Sequence, residues 1–299
     1  MTATVFIHTN HRQLVGALVS AYSVTRNSRH ADRFAVEVIQ VKDHPFLAAR
    51  EGQEFLRGGG KRVWLNDDLQ SFTPLRFMPP EIMGYDGRAV VIDPDVFAVG
   101  DVFELLSQDM DGKAVKCVAR SGHNDRQDYL ATSVMLLDCA RLTHWRCEEQ
   151  FNEMFSFERD YLEWIYLALE PRDTIGLLEP EWNHFDTLNE RTKLLHNTKR
   201  KTQPWKTGLP VDYTVRDKRW GFLPKRWIKQ AQNRLRGEHP DGRYRPHPDP
   251  KQEAYFFGLL RECVDKGVIS ETLLREEMAK NHIRHDALEL LDRAPSLAA

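Results

Sequence analysis

Residues 88–98 read RAVVIDPDVFA, so an apolar run ending at Ile92 leads straight into Asp93-Pro94-Asp95. An unbroken apolar strand has no polar face to offer water and belongs in the middle of a sheet covered on both sides. The surrounding pattern agrees. Residues 4–8 form a short apolar β-type run, and QLVGALVSAYSVTRNS behind it carries Leu14, Leu18, Ala21 and Tyr22 at helical spacing. FAVEVIQV (34–41) and RVWLN (62–66) read as strands separated by a helical segment, the alternation that builds a parallel sheet. Farther on, TSVMLLDC reads as a strand, LTHWRCEEQFNEMF and RDYLEWIYLAL as amphipathic helices, and TIGLLEPEWN as a returning strand. The prediction is an α/β domain over residues 1–205. A mostly helical extension, 206–299, then closes with QEAYFFGLLRECVDKG and SETLLREEMAKN, each ended by a helix stop.

Composition narrows the function classes. Lys plus Arg number 42 against 44 Asp plus Glu, which removes any whole-chain electrostatic case for a nucleic-acid partner. Cys117, Cys139, Cys147 and Cys263 include no C-x-x-C pair, with Cys139 and Cys147 in an apolar helical stretch; this usage suits a reducing compartment. No stretch approaches the roughly 20 apolar residues of a membrane span, so the expected location is cytoplasmic. RGGGKR (57–62) lacks the Ser or Thr of a phosphate-binding P-loop and reads as a turn.

The acidic turn carries the chemistry. In extended backbone, residues i and i+2 face the same way, so Asp93 and Asp95 are expected to converge on one hard cation while Pro94 stiffens the link. A divalent ion held there bridges the two phosphates of a nucleotide diphosphate and neutralises the charge that develops as it leaves. The plainer reading is an Asp-Pro turn with solvated carboxylates. LLHNTKRKTQPW (194–205) supplies an imidazole, His196, suited to manganese, followed by Lys199 and Lys201, suited to phosphate. Alone, that segment reads as a solvated basic loop.

Taken together and in this order, these segments resemble the glycogenin-like family 8 glycosyltransferases, which have the GT-A fold. The D-x-D strand and the His196-to-Pro204-Trp205 segment carry most of the likeness, with ATSVMLLD (131–138) and ERDYLE (158–163) as weaker counterparts of two intervening family motifs. The resemblance spans roughly the first two thirds of the chain. It implies a Rossmann-like mixed central sheet flanked by helices, and a hexosyltransferase that uses Mn2+ or Mg2+ and a nucleotide-sugar donor, a UDP-sugar first among them. It implies transfer with retention to a carbohydrate, glycolipid or protein acceptor. On that pattern Asp93, Asp95 and His196 ligate the metal, and Arg76, Asp93, Lys199 and Lys201 bind the diphosphate. Thr9 and Asn10 contact the nucleobase or ribose, although both are equally good helix caps. Asp160, and after it Glu158, face the reacting sugar, although acidic residues also favour helix starts for dipole reasons alone. Arg76 in TPLRFMPPEI reads alternatively as a loop cap.

The chain departs from the family pattern at Gln13, Ala131, Ser133, Arg159 and Gln203. These departures leave the donor sugar open and keep a second class in play: a catalytically degenerate nucleotide-sugar-binding protein of the same fold. A haloacid-dehalogenase-type phosphatase also opens on a strand and D-x-D, but needs a downstream Asp-Asp pair; the chain's one such pair, Asp67-Asp68, lies upstream. Residues 217–237 interleave Trp220, Phe222 and Trp227 with seven Lys and Arg, a mixture that suits peripheral contact with an anionic inner-membrane face. A solvated helix with its tryptophans packed inward is the other reading. The oligomeric state is not legible.

Overall fold

A computed structural model describes residues 3–121, 128–212 and 242–297. The basic aromatic segment, 217–237, lies outside the described residues. The chain forms two compact units, Met1–His196 and Asn197–Ala299.

The first unit is built on a six-stranded sheet in the order β2-β1-β5-β8-β7-β9. Its strands are β1 (Ala3–Thr9), β2 (Ala35–Gln40), β5 (Arg88–Ile92), β7 (Val115–Arg120), β8 (Tyr129–Asp138) and β9 (Ile175–Leu177). β2, β1 and β5 run parallel; β8 is antiparallel to both β5 and β7, and β9 runs parallel to β7. The sheet is therefore mixed, as expected. The apolar run of β5 is explained by two cores, one on each face. Ala89 and Val91 join Phe6, Met135 and Trp145 on one side, and Val90 and Ile92 join Val5, Ile7 and Leu136 on the other. A period of two along each strand divides the residues between the cores.

The expected strand at 62–66 is corrected. Gly60–Val63 (β4) pairs antiparallel with Glu54–Arg57 (β3) in a separate hairpin, and every residue of β4 is exposed. Gly58 and Gly59, at φ +62° and +71°, make its two-residue turn, a conformation in which a Cβ would be strained. The glycine run thus ends one strand and returns the next, and among the described residues β4 lacks the cover that a central strand needs. TIGLLEPEWN is also only part strand, because Pro180–Asn183 is a 3-10 turn. Cys147 opens the helix Cys147–Glu153, whereas Cys139 sits in a short 3-10 turn after β8. In the second unit the two expected helices are Pro250–Asp265 and Glu271–Ala279, and a third follows at Ala287–Arg293.

A small second sheet positions the candidate site: β10 (His184–Phe185), β11 (Leu194–His196) and β6 (Val96–Ala98). β6 pairs on one edge with β11. Its other edge meets the helix Leu14–Arg26 and its cap: Ser20 Oγ donates to the Val96 carbonyl at 2.6 Å, Ser23 Oγ accepts from Ala98 N at 2.8 Å, and Asn27 Nδ2 donates to the Ala98 carbonyl at 2.7 Å. Both serines are fully buried. They do for β6 what a neighbouring strand would do, satisfying backbone groups that are costly to leave unpaired. Gly16, one turn earlier, lets the helix approach the acidic turn, since a Cβ there would lie 2.8 Å from the Pro94 carbonyl oxygen. Ser23→Ala removes the hydroxyl that accepts from Ala98 N, and it should lower unfolding free energy by about 1–3 kcal/mol; urea denaturation checks this, and a change under about 0.5 kcal/mol would refute the bracing role.

Candidate metal and donor site

β5 ends at Ile92, and the next four residues fold back: Val96 N donates to the Asp93 carbonyl at 3.1 Å, with Pro94 at the second position of the turn. The two carboxylates therefore do not converge by strand alternation, as expected above, but by this turn. Its exit strand β6 is registered with β11 so that His196 stands opposite Val96, next in sequence to Asp95. One ligand atom each from Asp93, Asp95 and His196 lies within 4.8 Å of the other two. His196 Nε2 is 3.2 Å from Asp95 Oδ1. Ligands of one octahedral ion at about 2.1 Å are roughly 3 Å apart in cis and about 4 Å in trans, so the three groups fit an ion with a small inward movement. Two carboxylates and an imidazole are a donor set that manganese accepts.

Asp93 has other partners too. Arg76, in the 3-10 segment Thr73–Phe77, closes its fork on the carboxylate, Nε to Oδ1 at 2.9 Å and Nη2 to Oδ2 at 2.5 Å, while Nη1 donates to Thr132 Oγ1 at 2.9 Å. His8 Nε2 lies 2.8 Å from Oδ1. The sheet explains that contact: Ile7 pairs with Ile92, and the next step along both strands carries His8 to Asp93. Burial works against the charge on Asp93, but the Arg76 guanidinium and His8 outweigh it and hold the carboxyl well below the usual carboxylate range. Burial dominates at His8 and pushes its imidazole down, despite the neighbouring carboxylates.

One strand irregularity aims further side chains. The β7–β8 register shifts between Cys117 and Val118, releasing Thr132 and Ser133 from β7 while β8 stays paired with β5. Thr132 bridges Arg76 and the Ile165 carbonyl, the latter at 2.6 Å. Ser133 Oγ is 3.3 Å from His196 Nδ1, and Asn183 Oδ1 is 2.8 Å from the same nitrogen. Phe185 packs its ring edge-on to His196 with centroids 5.0 Å apart, and the Arg120 guanidinium sits 4.0 Å from the Phe185 centroid. His8, Thr132, Asn183 and Arg120 were not singled out in the sequence.

The remaining expected site residues are placed as follows. Thr9 is fully buried, and Asn10 Nδ2 donates to the Asp68 carbonyl and Ser71 Oγ while its Oδ1 caps the turn at Arg12 N. Asp160 caps the helix Tyr161–Ile165, accepting from Leu162 N at 2.7 Å and Gly59 N at 2.8 Å. Burial alone would raise its carboxyl; these backbone amides override burial and lower it. Glu158 is exposed. Lys199 and Lys201 belong to the second unit, on either side of Arg200 in the 3-10 turn Arg200–Thr202 and its cap. Among the described residues no helix is long and apolar enough to cross a membrane.

No family model matches the sequence, and no curated protein matches it. Solved structures do match. One is the galactosyltransferase LgtC with donor and acceptor sugar analogues, at 16% identity and TM-score 0.46, covering 68% of this chain and 89% of that one. Another is the glycosyltransferase GlyE of Streptococcus pneumoniae TIGR4, at 14% identity and TM-score 0.47, covering 90% of this chain and 64% of that one. A third is mouse xyloside xylosyltransferase 1, at 11% identity and TM-score 0.44, covering 67% of this chain and 98% of that one.

The Arg76–Asp93 pair makes a pH-dependent prediction. A carboxyl whose folded pKa is depressed stabilises the fold above its unfolded value, 3.8, and that stability is lost as pH falls toward the folded value. Arg76→Met leaves the buried Asp93 carboxylate without its guanidinium partner and should cost about 3–5 kcal/mol at pH 7, with the deficit shrinking as pH falls below about 4. Urea midpoints at pH 7 and pH 3 measure it; a deficit equal at both would show that the pair does not govern Asp93.

Proposed function

We propose that the chain is a metal-dependent glycosyltransferase of the GT-A type that moves a sugar from a nucleotide diphosphate to an acceptor. The observation that supports this reading is the meeting of Asp93, Asp95 and His196 at the carboxyl end of β5, where open α/β sheets take their ligands. A divalent ion, Mn2+ or Mg2+, would supply there a positive charge against the leaving diphosphate. Asp93, Asp95 and His196 would hold it. Arg76 would keep Asp93 ionised and turned toward the ion, while Lys199 and Lys201 would add charge against the diphosphate. Thr9 and Asn10 would border the nucleoside. The donor is most economically a UDP-sugar and the transfer one with retention. The acceptor would be a carbohydrate, glycolipid or protein, with residues 1–205 as the catalytic domain and 206–299 as its extension.

A second reading draws on Asp160, whose carboxylate is engaged by backbone amides, and on the exposed position of Glu158. If neither carboxylate reaches the sugar, the chain binds a nucleotide-sugar without turning it over. A thermal-shift panel of nucleotide-sugars with and without Mn2+ tests both readings. A true donor at 100 times its Kd should add about 2.7 kcal/mol of stability, the gain should require Mn2+, and Asp95→Ala should abolish it. If no donor in the panel raises Tm, both readings fail. Slow Mn2+-dependent hydrolysis of the stabilising donor selects the enzyme, and tight binding without turnover selects the sensor. For the enzyme, Asp160→Asn should keep most of the cap and lose at least tenfold in turnover if the carboxylate acts on the sugar. Unchanged turnover leaves it a structural cap.

A further inference from the structure

His196 needs a particular tautomer to serve as a ligand, and its surroundings select one. Asn183, the last residue of the turn Pro180–Asn183, is fully buried. Its Nδ2 is 2.9 Å from Ser133 Oγ and 3.4 Å from the Ala131 carbonyl. A carbonyl can only accept, so the amide NH2 faces β8 and Oδ1 faces His196 Nδ1 at 2.8 Å. An amide oxygen can only accept in turn, so Nδ1 carries the hydrogen. A neutral imidazole with hydrogen on Nδ1 has a bare lone pair on Nε2, and that nitrogen stands 3.2 Å from Asp95 Oδ1. In that form two acceptors would meet there, an arrangement that a cation between them would resolve.

We propose that Asn183 is a positioning residue that fixes His196 as the Nδ1–H tautomer and presents a bare Nε2 to the metal. The proposal rests on the metal-site reading above and assigns the outer contact that tunes it. Asn183 is itself held. Trp182 lies in the core beneath the sheet, and Arg120 Nη2 donates to the Asn183 carbonyl. The side chain therefore has little freedom to turn its amide over. Orienting contacts of this kind, made through the far ring nitrogen, typically change metal affinity by about 10–100-fold when removed.

The test uses the full chain without metal and then with Mn2+. Long-range 1H–15N correlation spectra at pH 8.5 distinguish the two neutral tautomers and the imidazolium. His196 should show hydrogen on Nδ1 alone; a hydrogen on Nε2, in either form, overturns the proposal. Asn183→Leu, similar in size but without an acceptor, should weaken Mn2+ binding by about 10–100-fold in calorimetry. Asn183→Asp, which keeps an acceptor at Nδ1, should stay within a few-fold of the wild type. Equal Mn2+ affinity in a folded Asn183→Leu variant also overturns the proposal. Should that variant fail to fold, the wild-type spectrum decides. Failure of the wild type to bind Mn2+ defeats the metal-site reading separately, since the tautomer is read on the metal-free protein.

Discussion

The candidate site depends on one short pairing, Val96–Ala98 against Leu194–His196. Three residue pairs are marginal as an isolated ribbon in water, and the two segments are far apart in sequence, so closing the chain between them costs entropy. Two things offset that cost. All six side chains are buried, and the other edge of β6 is hydrogen-bonded by Ser20, Ser23 and Asn27. The imidazole reaches the acidic turn through the pairing of β6 with β11, and a helix far from both in sequence braces β6 from the other edge. Gly16 on the same helix sets how near the turn can come.

Charge follows from this geometry. Two carboxylates share the site with one guanidinium and with His8, which burial keeps from taking up a proton. The formal sum is negative. A divalent cation held by the two carboxylates would reverse the sign, so that an anionic diphosphate would meet net positive charge without any single residue carrying all of it. Arg76 in this arrangement acts first on Asp93. It counters the burial that would otherwise drive that carboxyl toward its neutral form and leave a poor ligand.

Much of the sheet was legible because strands buried on both faces must be apolar throughout, as at Ala89–Ile92. The acidic pair was legible for its residue types, although a turn and not extended backbone brings it together. His8 was missed because it ends an apolar run and reads as its boundary; its parity with Phe6, on the strand that neighbours β5, was the available signal. Ser20 and Ser23 carry no signal in one sequence, since small polar residues on a helix look solvent-facing until the strand they brace is known. Asn183 and Ser133 depend on registers between distant strands and on the shift at Cys117 and Val118, neither of which local pattern can specify. At 62–66 a β-type run is equally the return arm of a hairpin, and only its pairing with Glu54–Arg57 across the glycine turn shows that it is one.

The lone pairs on Asp93 set a last constraint. A carboxylate offers about four acceptor positions, and Arg76 Nε, Arg76 Nη2 and His8 Nε2 face three of them. A metal would then find one, on Oδ2, and Asp93 would be a monodentate ligand. With Asp95 and His196 each offering one atom, a divalent ion held here would still need ligands from outside the chain. The oxygens of a bound diphosphate would be suited to that role. Three protein ligands alone make a weak cage for a hard ion, so metal and diphosphate should each raise the affinity of the other.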